Sequence, residues 1–198
     1  MTPRYAHARA TATLLLLRQR LYSLRIDTKK LHYDKNILID SMQHFCHMTS
    51  TTLPQLTDGS DCLQDGCTFI RRHQGETRHI ILYNEDARSS GRLGFTLAHE
   101  VGHVYLNHLQ DGDTQEKEAN CFAAQLLAPM VLIHEMARQS PVRLTPEDLR
   151  QVFSLSYQAA ENRLRELPHH FSPTRDDLAL LKKLGYLLPC HGEPLVDI

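Results

Sequence analysis

Apolar residues return at helical intervals over the first stretch of the chain, ATATLLLLRQRLYSL, and predict a helix from about Ala8 to Leu24. A second run of the same period covers about Asn36 to His47, and the cluster TDGSD (Thr57–Asp61) marks a loop. The period then changes. CTFIRR (Cys67–Arg72) and RHIILYN (Arg78–Asn84), joined by HQGET, read as two strands of a hairpin. In the second strand Ile80, Ile81, Leu82 and Tyr83 are continuous rather than alternating, which predicts cover on both faces.

Helical spacing resumes downstream. Ser89 and Ser90 offer an N-cap for a helix from about Gly91 to His108, which QDGDT (Gln110–Thr114) interrupts. A further helix from about Gln115 to Ala128 stops at Pro129, whose ring cannot continue it. Val131–Gln139, Pro146–Phe153, Ser156–Leu167 and Arg175–Leu184 complete the pattern, with PHHFSP (Pro168–Pro173) as the linker signal. Many helices around one short hairpin, with no internal repeat, describe an α+β fold.

The most informative of these segments is LAHEVGH, Leu97–His103. On a helix, residues i and i+4 project from one face a turn apart, so His99 and His103 can aim ring nitrogens at one ion. Glu100 lies on the adjacent flank. Zinc brings the pKa of a water that it holds down toward about 7, and a carboxylate beside it can accept the proton as that water attacks a carbonyl. This is why HExxH marks metalloproteases. In a chain with 13 histidines the pattern needs support from its context. It sits on a helix after a buried strand, with apolar Leu97, Ala98, Val101 and Val104 around it.

A hydrolytic zinc takes three protein ligands and keeps one position open. The long HExxHxxGxxH pattern is excluded, because Leu106 and Leu109 stand where it needs glycine and histidine. His108 is one place out of register for it and reads as a helix-end histidine. The next helix, TQEKEANCFAAQLLAP, offers two carboxylates. Its apolar stripe is Ala119, Phe122, Ala123, Leu126 and Leu127. Glu116 lies about 60° from the centre of that stripe and Glu118 about 100°. Glu118 also shares its side with Cys121 and Gln125, so it is expected to face solvent while Glu116 looks inward. Asn120 follows Glu116 by one turn and can hydrogen-bond a ligand histidine from behind. Gly102 is expected to allow another backbone close to the zinc helix. Tyr83, Tyr105 and His108 are candidates for an oxyanion donor, though each reads equally well as a packing or helix-end residue.

Composition narrows the remaining classes. The charge of -1 leaves no global basic field for nucleic acid. Residues 144–153 and 156–167 have helix-turn-helix-like lengths, but Glu161 and Glu166 lie among Arg163 and Arg165, so a packed pair of helices is expected and no direct nucleic-acid contact. Cys46, Cys62, Cys67, Cys121 and Cys190 are odd in number and contain no CxxC pair, which fits free thiols in a reducing compartment. The apolar run Leu14–Leu17 is broken by Arg18 and Arg20, too short for a secretory signal or a membrane span. A cytoplasmic protein without a membrane partner is the expectation.

RLGFTLAHEVGHVYLNHL followed by EKEANCFAAQLLAP resembles the ImmA/IrrE family of zinc metallopeptidases, and the preceding IILYNEDARSSGR is similar to that family's strand and its approach to the helix. The resemblance is strong from about Arg78 to Pro129 and fainter over the N-terminal helices and LRQVFSLSYQAAENRLREL. It implies a zincin-like core over residues 1–139, with the small sheet packed on the HExxH helix, and a C-terminal helical extension over 140–198 packed on that core. It implies His99, His103 and Glu116 as metal ligands and Glu100 as the catalytic carboxylate. Where thermolysin-like enzymes carry a carboxylate one turn after the ligand glutamate, this chain has the amide Asn120. Gly94 also departs from the basic residue that commonly precedes the phenylalanine of this helix. The implied activity is endoproteolysis of a helix-turn-helix repressor in stress or mobile-element control. The alternative is a metal-holding module that sequesters the repressor without cutting it. Zn2+ is the implied cofactor, and a two-histidine, one-carboxylate site also accepts Mn2+ or Fe2+.

Overall fold

The computed structural model describes residues 3–34, 36–50, 65–73, 75–85, 90–110, 112–168 and 170–189. Helix α1 (Pro3–Arg18) leads through a 3-10 turn (Thr28–Lys30) to strand β1 (Ile37–Ser41) and helix α2 (Met42–Thr49). Strands β2 (Gly66–His73) and β3 (Glu76–Tyr83) form the hairpin. Six helices follow: α3 (Ser90–Tyr105), α4 (Asp113–Leu127), α5 (Met130–Gln139), α6 (Pro146–Val152), α7 (Tyr157–Arg165) and α8 (Arg175–Leu184). The result is an α+β, zincin-like arrangement with one small sheet.

The first two expected helices differ from their patterns. The first ends at Arg18 because Gln19, 2% exposed, turns the chain. Its amide donates to the carbonyls of Leu15 and His32, and its Oε1 accepts from the His32 N–H. Lys183 of α8 then caps the end of α1, its ammonium donating to the carbonyls of Leu17 and Gln19 at 2.6 Å each. A cation at a helix C-terminus satisfies carbonyls that have no partner within the helix.

The second expected helix, Asn36–His47, is a correction. Residues Ile37 to Ser41 form a strand, and only Met42–Thr49 is helical. The run Ile-Leu-Ile fits either period, and parallel pairing with β3, from Ile37 against His79 to Ser41 against Tyr83, decides it. The Ser41 hydroxyl then caps α2 by accepting from the His44 N–H.

The sheet order is β1-β3-β2, with β3 central and β2 antiparallel to it. As its continuous apolar run predicts, β3 is covered on both faces. Ile81 packs into the main core with Leu97, Ala98 and Val101 of α3, whereas Ile80 and Leu82 pack with Met42 of α2. His73 pairs with Glu76, so the hairpin is tighter than HQGET suggests, and Gly75 takes the positive φ (81°) that a two-residue turn needs. The loop cluster TDGSD, the Ser89 cap, Cys62, Cys190 and His169 of the linker signal lie outside the described residues.

Two glycines set the spacing around α3. A Cβ at Gly102 would meet Phe122 Cδ1 at 3.1 Å and the Ala119 backbone at 3.3 Å, so α3 and α4 touch there at backbone range. A Cβ at Gly66 would meet the Thr96 methyl carbon Cγ2 at 2.6 Å, so the start of β2 packs directly on a side chain of α3. Arg92 pairs with Asp65 at the same junction.

The C-terminal helices add Leu149, Phe153, Ala160 and Leu180 to the core. Arg163 of α7, 4% exposed, donates to the Ala128 carbonyl (3.0 Å), Gln125 Oε1 (2.7 Å) and Glu166 (2.7 Å). Gln125 in turn donates to Thr13 of α1 and accepts from the Met130 N–H. One buried polar network thus joins α1, α4, α5 and α7. Phe171, inside the expected linker, packs on the core beside His134. Among the described residues no helix is long and apolar enough to cross a membrane.

Candidate metal centre

Helix α3 carries His99 and His103 one turn apart, and the first turn of α4 brings Glu116 across to them. The Nε2 atoms of the two histidines are 3.0 Å apart. Glu116 Oε2 lies 3.2 Å from His99 Nε2, and its Oε1 lies 3.3 Å from His103 Nε2. Ligands around a tetrahedral zinc at about 2.1 Å stand about 3.4 Å apart, so the triangle has the size of one face of that polyhedron. Among the described residues these are the three metal-ligating side chains that converge in this way.

Their hydrogen bonds explain why the triangle suits a cation. Asn120 Oδ1 lies 3.0 Å from His99 Nδ1, and an amide oxygen only accepts, so His99 carries its proton on Nδ1. On the other ligand, His103 Nδ1 lies 3.2 Å from His108 Nδ1, and His108 Nε2 lies 3.0 Å from Glu118 Oε2. Where both rings carry their proton on Nδ1, two Nε2 lone pairs and a carboxylate edge face one another, a repulsion that a cation between them would relieve. The residues present therefore fit the divalent ion that the motif implies, as the spacing on α3 and the position of Asn120 led one to expect.

Burial differs from the expectation and corrects it. Glu118 does not face solvent: its side chain is 16% exposed and is held by His108. Glu116 is the more open of the two, at 47%, while His99 and His103 are 15% and 12% exposed. The reason lies in α1. It runs along the side of α4 that the apolar stripe leaves polar, where Tyr5 O approaches Cys121 Sγ and Thr13 binds the fully buried Gln125. A helix covered on two sides has no simple solvent face.

The helix ends at Tyr105 rather than at His108, which follows the terminating turn with its ring only 7% exposed. The chain reverses at Asn107, whose φ of 55° is the left-handed conformation that asparagine tolerates better than most residues. The Asn107 N–H reaches the Val104 carbonyl and the His108 N–H the His103 carbonyl, the two bonds of a Schellman motif. His108 is thereby folded back onto His103.

Thr68 is the residue that sequence reasoning missed. From β2 its hydroxyl donates to Glu100 Oε2 at 2.6 Å. Nothing in its spacing signals this, because the contact depends on how β2 lies across α3. The oxyanion candidates are engaged elsewhere. Tyr105 stacks on Phe122 with ring centres 6.1 Å apart, and burial pushes its hydroxyl pKa up. Tyr83 has Lys29 over its ring. Among the described residues, Cys46, Cys67 and Cys121 form no disulfide.

A family model for the IrrE N-terminal-like domain, a peptidase family, matches residues 65–165. The chain belongs to that family. The IrrE-like match begins just before β2 and ends with α7, so it contains the whole ligand triangle, Glu100 and Thr68. It supports a metallopeptidase role for the IrrE-like core and confirms the family that the HExxH helix and its successor resemble. No curated protein and no solved structure matches the chain.

Proposed function

We propose that this protein is a zinc-dependent endopeptidase that hydrolyses one peptide bond in a regulatory protein, a helix-turn-helix repressor of the same cytoplasm. The observation that carries the reading is the convergence of His99, His103 and Glu116 within ligand distance of one another, beside a Glu100 whose carboxylate is held in place. When bound, zinc supplies a Lewis acid for the scissile carbonyl and a water acidified toward neutrality.

The chain's own groups do the rest. Glu100 accepts the proton of the attacking water and passes it to the nitrogen of the leaving amine, so the C–N bond breaks to a carboxylate and an amine. Thr68, donating to Oε2, fixes the rotamer of that base. Asn120 keeps His99 in the tautomer whose Nε2 faces the ligand triangle. Strand β2 is at the edge of the sheet and carries Thr68, so an extended substrate segment pairing along it would lie beside Glu100.

The test pairs the purified protein with helix-turn-helix repressors encoded beside it and compares wild type with Glu100→Ala. Metal retained and cleavage reduced by about 10²–10⁴-fold in the variant supports the mechanism. Stoichiometric metal with no cleavage of any partner by wild type supports the sequestering module instead. Absence of metal from wild type, with folding unchanged in chelator, refutes both.

A further inference from the structure

We propose that His108 and Glu118 are positioning residues of the metal centre, a two-residue relay that fixes His103 in the orientation offering Nε2 to the cation. The proposal rests on the metal-centre reading above and extends it to two side chains outside the ligand triangle.

The assignment follows from donors and acceptors. Glu118 Oε2 accepts from His108 Nε2–H at 3.0 Å. A neutral imidazole protonated there leaves Nδ1 as an acceptor, and that nitrogen lies 3.2 Å from His103 Nδ1. His103 must then donate from Nδ1, which frees Nε2 toward His99 and Glu116. With His108 neutral, each proton in the chain Glu118–His108–His103 has one place that satisfies both contacts. His108 is excluded as a ligand by the same contacts, since it meets His103 at the nitrogen turned away from the triangle.

The arrangement is built from two directions. From α3, the Schellman turn at Asn107 returns His108 beneath His103 and bonds their backbones as well as their rings. From α4, Glu118 arrives on the side of the helix about 200° from Glu116. The same helix thus grips His103 twice, once across the ion position and once from behind. A buried histidine–carboxylate pair at 7% and 16% exposure adds little net stability over an apolar pair, so orientation is its main consequence.

The two ligand histidines are consequently unlike. His99 is backed by a neutral amide, whereas His103 is backed, through one intervening ring, by a carboxylate.

The test uses the full chain. Zinc affinity is measured by chelator competition in wild type, His108→Phe, His108→Asn and Glu118→Gln, with long-range ¹⁵N–¹H NMR to read the His103 tautomer. His108→Phe removes the acceptor and keeps bulk, and should weaken zinc by about 10–100-fold with loss of the pure Nδ1–H form of His103. His108→Asn places an amide oxygen near the lost Nδ1 but gives up the link to Glu118, and should recover affinity to within about tenfold of wild type, well above His108→Phe. Glu118→Gln keeps an acceptor without the charge and should cost about threefold to tenfold. If His108→Phe fails to fold, Glu118→Gln and the wild-type tautomer carry the test. Wild-type zinc binding, with all folded variants within twofold of it and the His103 signal unmoved, overturns the relay alone. A wild type that binds no zinc overturns the metal-centre reading itself.

Discussion

Replacing Gly102 by alanine sets two measurable effects against each other. In the interior of α3 the substitution should favour the helix by about 1 kcal/mol. The added methyl, however, would stand 3.1 Å from Phe122 Cδ1 and 3.3 Å from the Cα and carbonyl oxygen of Ala119. Ordinary carbon contacts are about 3.5–4.0 Å, so α4 must retreat by a few tenths of an ångström, and backbone cannot turn aside as a side chain can. Overpacking of this kind costs about 1–3 kcal/mol, which leaves a net destabilisation of about 0–2 kcal/mol.

The effect at the site is the sharper readout. Ala119 is three residues from Glu116, so a retreat of α4 widens the 3.2 and 3.3 Å spans to His99 and His103. Metal sites tolerate about 0.2 Å in each ligand distance. Zinc affinity should therefore fall by about tenfold, measured by chelator competition, while urea unfolding of the metal-free protein gives the stability change. A variant that is about 1 kcal/mol more stable and binds zinc as tightly as wild type would refute the close-approach argument.

Two further substitutions separate base, site and scaffold. Thr68→Val removes a hydrogen bond to an ionised acceptor and nothing from the ligand triangle. It should lower kcat by about tenfold through Glu100, with zinc affinity unchanged in the same competition assay. Arg163→Met takes the buried donor away from the Ala128 carbonyl and Gln125 while Glu166, 57% exposed, returns to water. It should cost about 2–4 kcal/mol in denaturant unfolding, and the folded fraction should keep its zinc affinity.

Much of the centre is legible in the sequence because its geometry is local. His99 and His103 are fixed by the pitch of one helix, and Glu116 and Asn120 by the pitch of the next, so periodicity alone relates each pair. Gly102 is legible for a related reason: a glycine between two ligands on a buried helix has few uses other than contact with a backbone. What spacing does not reveal depends on a third element. Glu118 reads as a surface carboxylate until α1 covers that side of α4 and Asn107 folds His108 back to meet it. Thr68 needs the lie of β2 across α3. Strand β1 reads as part of a helix because Ile37, Leu38 and Ile39 satisfy both periods, and only a partner strand chooses between them.

The unequal exposure of the three ligands carries a kinetic consequence. His99 and His103 are largely shut away from water, while Glu116 stands nearly half in it. An ion approaching the triangle from solvent would meet the carboxylate before the imidazoles. The first turn of α4, opened by Gly112 and carrying Asp113 as well as Glu116, would then line its approach. Changes of charge on that turn should alter how fast the protein is loaded and stripped more than how tightly it finally holds its metal.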